Sequence, residues 1–236
     1  MKSTVVKLAS LSLTSLVAVL LLGVVQAHAL SLTTDATALS ANGSIDWGAI
    51  GADRTLLSQP FSAAVNGISG LEAVVSKASP GPMEIRVQGS SWAGNFGTGE
   101  TLLWTMHTNG PTILDFNAGV SGVGAQIQSN YYGDFLATIE AFDLTGASLG
   151  AFTVLGRSDD DGNDSALFLG VLSDLPNIDK IAFNVSRGGA TGGDDFAING
   201  PVVNGQAVQP APVPEPASFL LFGIGLVGAA FVRRRN

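Results

Sequence analysis

The densest set of oxygen ligands in the chain is Ser158-Asp159-Asp160-Asp161-Gly162-Asn163-Asp164-Ser165. Carboxylate and amide oxygens gathered around a glycine can wrap calcium, a hard cation that takes about six to eight oxygens. Asp159, Asp161, Asn163 and Asp164 are the candidate calcium ligands, with Asp194 and Asp195 as remote additions. The run departs from the EF-hand pattern, because Gly162 stands fourth from Asp159 and Gly170 takes the twelfth place. The competing reading is an acidic hairpin turn kept in water by its charge.

Aromatic rings in polar loops are a second pointer. Ser91-Trp92-Ala93-Gly94-Asn95-Phe96-Gly97 and Asn130-Tyr131-Tyr132-Gly133-Asp134 set flat rings beside amides and carboxylates. Such groups stack on a sugar ring and hydrogen-bond its hydroxyls, so Trp92, Tyr131 and Tyr132 are candidate carbohydrate-binding residues. Only an exposed ring can do this, and the competing role is to cap the ends of the fold.

Catalytic chemistry finds less support, and no catalytic residue is assigned. His107 is the only histidine beyond the N-terminal segment, and a Ser-His-Asp triad drawn through it lacks a Gly-x-Ser-x-Gly elbow. In Trp104-Thr105-Met106-His107, strand alternation places His107 on the face opposite Trp104 and Met106. One imidazole is too few for a histidine zinc site, and the absence of cysteine excludes thiol catalysis, cysteine zinc sites and disulfides. Glu84, Glu100 and Glu140 sit at ordinary strand positions and read as solvated, although sequence spacing does not reveal carboxylates paired across a cleft for glycoside hydrolysis.

The elements that must hold these residues have a period of two. Met83 to Gln88 alternates cleanly, and Val123, Ala125 and Ile127 alternate with Gly124, Gln126 and Gln128. Further strands are expected at Leu71 to Ser76, Thr101 to His107, Thr112 to Phe116, Phe135 to Phe142, Leu149 to Leu155, Ala166 to Leu172, Ile178 to Val185 and Phe196 to Val203. Turn signals such as Asn109-Gly110-Pro111, Thr145-Gly146 and Asp161-Gly162 separate them, and no stretch keeps a helical period. The expected fold is all-β, one antiparallel β-sandwich of the jelly-roll kind.

The two ends read as addresses. Lys2 and Lys7 precede an apolar run from Leu8 to Val25, and Ala27-His28-Ala29 offers small residues where a signal peptidase reads, so residues 1–29 are expected to be a signal peptide. The β-sandwich ectodomain then spans 30–203 and a Pro/Ala-rich linker 204–213. Beyond it come Pro214-Glu215-Pro216, an uncharged run over 217–232 and Arg233-Arg234-Arg235. At about 1.5 Å per residue that run makes a helix of roughly 24 Å, able to cross a bilayer only if the arginines snorkel or the bilayer thins. Arginines that stay in the cytoplasm agree with an N-terminus sent outward. Of the 11 Lys and Arg, five lie in these ends, leaving 6; of the 19 Asp and Glu only Glu215 does, leaving 18, so the domain carries −12. Such a surface repels nucleic acid and attracts divalent cations or basic partners.

The tail resembles the PEP-CTERM sorting signal of exopolysaccharide-producing, mostly Gram-negative bacteria, on Val213-Pro214-Glu215-Pro216-Ala217-Ser218, Gly223, Gly225, Gly228 and Arg233 to Arg235. The resemblance implies processing by an exosortase, a membrane-anchored precursor, and release to the cell surface or extracellular matrix. The ectodomain is similar to a β-sandwich type met ahead of this tail, on Gly122 to Gln128, Ala137 to Asp143, Gly146, Leu149-Gly150, Phe168 to Val171 and Asp195 to Asn199. That likeness implies a galactose-binding-like or lectin-like architecture without an activity. The expected protein is a noncatalytic matrix component contacting extracellular polysaccharide, with calcium as its one candidate cofactor. A secreted hydrolase acting on that polysaccharide is the alternative. An ice- or surface-binding protein is another, and it would need a face of regularly repeated threonine that the chain lacks.

Overall fold

The computed structural model describes residues 29–107, 110–187 and 194–208. The signal segment, Pro214 to Pro216, the expected helix and the terminal arginines therefore lie outside the described residues. Among those described, no helix is long and apolar enough to cross a membrane.

Two antiparallel sheets face each other. The strands are β1 (Leu30–Thr33), β2 (Gly43–Ile45), β3 (Leu56–Leu57), β4 (Phe61–Asn66), β5 (Glu72–Lys77), β6 (Met83–Val87), β7 (Thr101–Trp104) and β8 (Thr112–Val120). They continue with β9 (Gly122–Ser129), β10 (Gly133–Phe142), β11 (Ser148–Ser158), β12 (Leu167–Ser173), β13 (Ile178–Ser186), β14 (Phe196–Ile198) and β15 (Val202–Asn204). One sheet runs β11-β10-β13-β8-β5-β4. The other is built around β9, with β12 and β1 on one side and, end to end on its other side, β14 leading to β7, β6 and β3, and β15 leading to β2. Strand β4 joins the layers: Phe61 to Ala64 pair with β5, whereas Val65 and Asn66 pair with β2. The chain passes back and forth between layers from β7 through β10, as expected of a jelly-roll sandwich.

Alternation decides what enters the core. Phe135, Ala137, Ile139 and Ala141 of β10 join Ile181, Phe183 and Val185 of β13, and the other sheet answers with Val123, Ala125, Ile127, Leu169, Val171, Phe196 and Ile198. Each larger side chain contributes on the order of 1.5–3 kcal/mol by leaving water, so this layer holds the sheets together.

Three expectations are corrected by the backbone. Strand β7 ends at Trp104 because Met106 and His107 adopt left-handed φ of 59° and 56°, which pairing in a strand does not allow. The expected strand Phe196 to Val203 is two, broken at Asn199-Gly200-Pro201, where the Asn199 side chain takes over pairing: Gln126 N–H donates to its Oδ1 at 2.8 Å. Finally, β9 is buried on both faces apart from a half-buried Gln126. Residues 205–208 continue packed on the sandwich, with Gly205 N–H donating to Asn42 Oδ1 (3.0 Å) and Val208 N–H to the Ser69 carbonyl (2.9 Å).

Candidate functional site

The second covering of β9 is made of two loops. The first leaves β6 at Val87, whose carbonyl accepts the N–H groups of Ser90, Ser91 and Trp92, each at 3.0 Å. Gly89 makes this tight turn possible with a φ of 80°, and Val87 N–H donates to Ser91 Oγ at 3.0 Å. The turn folds Trp92 down onto the outer face of β7. There it meets Phe96 and Trp104 edge to face, at 6.4 and 6.3 Å between ring centres, in a satellite cluster with Leu102, Ala166 and Ala197. Strand parity explains the cluster: Leu103 of β7 points into the main core, and Leu102 and Trp104 point outward. Trp92 is only 6% exposed, so it forms the floor of the site and offers no face to a ligand, contrary to its expected stacking role.

The second loop is the acidic run. Gln128 of β9 clamps it to the first. Asn95 N–H donates to Gln128 Oε1 (2.8 Å), while the two N–H groups of Gln128 Nε2 are shared among Asn95 Oδ1 (2.7 Å), Ser158 Oγ (2.7 Å) and the Asp159 carbonyl (3.0 Å). Gly162 N–H donates to the Gly94 carbonyl at 2.8 Å. Three of the four candidate calcium ligands are engaged by this architecture, and Asp161 takes part through its backbone N–H alone. Asp159 accepts from Asn95 Nδ2 and from Asp161 N–H, Asn163 Oδ1 accepts from Ser165 N–H, and Asp164 Oδ1 accepts from Gln126 Nε2. Among the described residues no three acidic or imidazole groups converge on a metal position. The remote candidates are elsewhere: Asp194 pairs with Arg187, and Asp195 lies buried beside Trp104.

Two hollows open on either side of Trp92. The first, about 300 Å³, is lined by Arg86, Ser91, Trp92, Trp104, His107 and Asn130. Arg86 lies over the Trp104 ring at 4.4 Å, donates to Glu84 Oε2 (2.9 Å) and to the Ser91 carbonyl (3.2 Å), and keeps a buried Nε without a partner among the described residues. His107 packs its ring edge-on against Trp104 at 4.6 Å, on the same side rather than the opposite one, because the left-handed residues break the alternation. Its Nδ1 is 3.3 Å from Asp195 Oδ2, a carboxylate that also accepts from Trp104 Nε1, Thr105 Oγ1 and Asn130 Nδ2. Imidazole held by a buried carboxylate is half of a triad, but the serine of this hollow, Ser91, donates its hydroxyl to Asp53.

The second hollow, about 310 Å³, lies among Arg54, Gln88, Ser90, Trp92, Ala93 and Asp160. Gln88, 4% exposed, donates its Nε2 to the Gly94 carbonyl (2.8 Å); among the described residues its Oε1 and the Trp92 indole N–H have no partner. Tyr132, 56% exposed, stands at the lip with its hydroxyl 3.5 Å from the Ala93 carbonyl. Tyr131 is also exposed, but Arg187 covers one face of its ring at 3.9 Å. Burial first, then the charges of Asp160 and Asp159, push the Tyr132 phenol above its ordinary value. Burial works to raise the Asp53 carboxyl as well, yet hydrogen bonds from Ser91 and Ser90 and the guanidinium groups of Arg54 and Arg86 hold it below its ordinary value.

The three glutamates are less solvated than expected. Glu84 is buried against Arg86, and Glu100 accepts from Gly97 N–H (2.9 Å) and Asn199 Nδ2 (3.2 Å), bracing the first loop; Glu140 accepts from Ser148 Oγ at 2.7 Å. Sequence reasoning missed Arg54, Gln88, Asn95 and Gln128. The available signal was the small-residue strand Gly122-Val123-Gly124-Ala125, where a Cβ added at Gly124 would meet the Phe168 ring at 2.6 Å, the mark of a closely covered face.

Residues 212–235 match the model of the PEP-CTERM protein-sorting motif. Among solved structures the chain is similar to a DUF4465 family protein from Bacteroides caccae ATCC 43185, at 14% identity over 75% of this chain and 99% of that one, with a TM-score of 0.34. No curated protein matches the chain. The sorting motif makes this an exosortase-sorted exported protein with a β-rich domain, made as a membrane-anchored precursor with a surface or extracellular fate.

Proposed function

We propose that the chain is a noncatalytic surface or matrix protein whose sandwich contacts extracellular polysaccharide at the end carrying Tyr131 and Tyr132. The observation that carries this reading is the exposed Tyr132 ring, 56% accessible, standing against Ala93 at the second hollow on a domain that is exported and sorted. An exposed phenol ring stacks on the apolar face of a sugar, and the neighbouring amide, hydroxyl and guanidinium groups answer its hydroxyls. The domain's −12 charge, from 6 basic against 18 acidic residues, keeps it soluble and disfavours nucleic acid. Two experiments test the reading. Deleting Pro214 to Asn236 is expected to abolish surface retention while the domain is still exported and folded; unchanged retention would refute sorting by the tail. Tyr132→Ala is expected to weaken sedimentation with the cells' own exopolysaccharide by about tenfold, the value of one stacked ring, and wild-type affinity in that variant would refute the contact.

A second reading rests on His107 and Asp195. The 3.3 Å approach of a carboxylate to Nδ1 supports a secreted hydrolase acting on the same polymer. Release of new reducing ends from matrix glycans by the wild type, lost in His107→Ala, would put this reading in place of the first.

A further inference from the structure

We infer that the hollow bounded by Arg54, Gln88, Trp92 and Asp160 is a subsite for one neutral hexopyranose unit. The inference deepens the polysaccharide reading and rests on it.

Three buried polar side-chain atoms in this small region have no partner among the described residues: Arg86 Nε, Gln88 Oε1 and Trp92 Nε1. A buried polar atom left unpaired costs about 1–3 kcal/mol, so a cluster of them beside an open hollow marks groups kept for a ligand or for water that a ligand displaces. Gln88 and Trp92 both line the second hollow and are 4% and 6% exposed, so they are fixed by packing before anything binds. Arg54 is held at its rim by Arg54 N–H donating to the Ile85 carbonyl at 2.7 Å and by a left-handed φ of 66°. Asp160 closes the opposite side from the acidic loop.

These four groups make a balanced set. At the open rim the Asp160 carboxylate accepts and the Arg54 guanidinium donates; just behind the wall, Gln88 Oε1 and the Trp92 indole N–H hold a second acceptor and a second donor that a hydroxyl reaches once the side chains around Gly94 give. A sugar hydroxyl both donates and accepts, so neighbouring hydroxyls of one pyranose match such a set, whereas an ammonium or a carboxylate matches only half of it. At about 310 Å³ the hollow is at the small end of ligand sites, suited to a single ring, and Tyr132 stands beside it as the stacking face. Charge selects against uronic acids. Asp160 and Asp159 already act on the Tyr132 phenol, and Asp53 partly neutralises Arg54, so an incoming carboxylate meets net repulsion.

The test uses the full chain and titrates it with methyl glucoside, methyl galactoside, methyl mannoside and sodium glucuronate, following tryptophan fluorescence. Binding of at least one neutral glycoside is expected, with glucuronate at least about tenfold weaker. Arg54→Gln and Asp160→Asn, both at exposed positions, should each weaken the neutral glycoside by about tenfold or more, the worth of a hydrogen bond to a charged group. Circular dichroism checks that both variants fold. If the wild type and both variants bind isolated exopolysaccharide equally well, the subsite is refuted and the broader reading stands. If the wild type binds the polysaccharide but no neutral glycoside, the subsite likewise falls. If glucuronate binds as well as the neutral sugars, the assignment of class is wrong. If the wild type binds neither polymer nor glycoside, both readings fall together.

Discussion

Gln128→Leu removes the one side chain that ties both loops of the site to the sheet, and its cost can be worked from the hydrogen bonds. Leucine is close in volume and the position is 1% exposed, so packing changes little. The hydrogen bond accepted by Oε1 disappears, as do the two N–H donations that Nε2 shares among three acceptors. Asn95 Oδ1 keeps the Asp159 N–H at 2.8 Å, and Ser158 Oγ still donates to the Ser129 carbonyl at 2.9 Å, so neither is wholly orphaned. Asn95 N–H is left buried without a partner, and the Asp159 carbonyl loses its donor. At about 1–3 kcal/mol for an unsatisfied buried group, the expected loss is roughly 2–4 kcal/mol. Urea unfolding followed by tryptophan fluorescence measures it, with an unchanged m-value showing that the same structure unfolds. Gln126→Leu is the control. Gln126 is half-buried and its partners Asp164 and Asn199 reach water, so it should cost under about 1 kcal/mol. A loss at Gln128 no larger than at Gln126 would refute the idea that the loops are held through this amide.

Gly200→Ala should destabilise the domain by about 1–3 kcal/mol in the same assay, since the new Cβ would lie 2.3 Å from the Ile45 carbonyl, a backbone atom that cannot step aside. Acid should loosen the first loop through Asp53. Its folded carboxyl sits below the ordinary 3.8, so the unfolded chain binds the proton more readily; the stabilisation is present above that value and fades as pH falls through the lower folded one. Unfolding free energy measured down the acid range should show this limb in the wild type and lack it in Asp53→Asn. Because Asp159, Asn163 and Asp164 are engaged by backbone and amide partners, a chelator should leave the melting temperature unchanged, and a clear drop would restore calcium to the site. Retention on a neutral polysaccharide should be nearly independent of salt, whereas retention on an anionic one should rise as salt screens the domain's charge.

The inner fold was legible because its signal is local. Alternation in Met83 to Val87 and Val123 to Ile127 names the core-facing side without reference to any other segment. The outer face was not, because a strand that alternates apolar with polar reads as half-exposed whether water or a polar loop covers it. Gln128 illustrates the ambiguity: a glutamine facing solvent and a glutamine clamping two loops have the same sequence signature. His107 was misplaced for a different reason. Period-two reasoning assumes extended backbone, and the left-handed pair Met106 and His107 carries no glycine or asparagine to announce itself. The acidic run was recognised as a loop, but composition alone could not say that its oxygens point to separate partners.

The arrangement separates stability from recognition. The main core lies between the sheets, while Trp92, Phe96 and Trp104 form a satellite cluster on the far side of β7, roofed by loops that contribute little to the inner packing. Changes in those loops can therefore alter the hollows without disturbing Ile127 or Phe196 beneath them. The charge distribution follows the same division. Of the six cationic residues left in the domain, Arg54 and Arg86 line the hollows and Arg187 rests on Tyr131, so half of the positive charge stands at one end of an otherwise acidic body. The acidic loop borders the same end, with Asp160 lining the second hollow, so the strand this face admits is an uncharged one, while the acid over the rest of the body holds neighbouring copies and anionic surfaces apart.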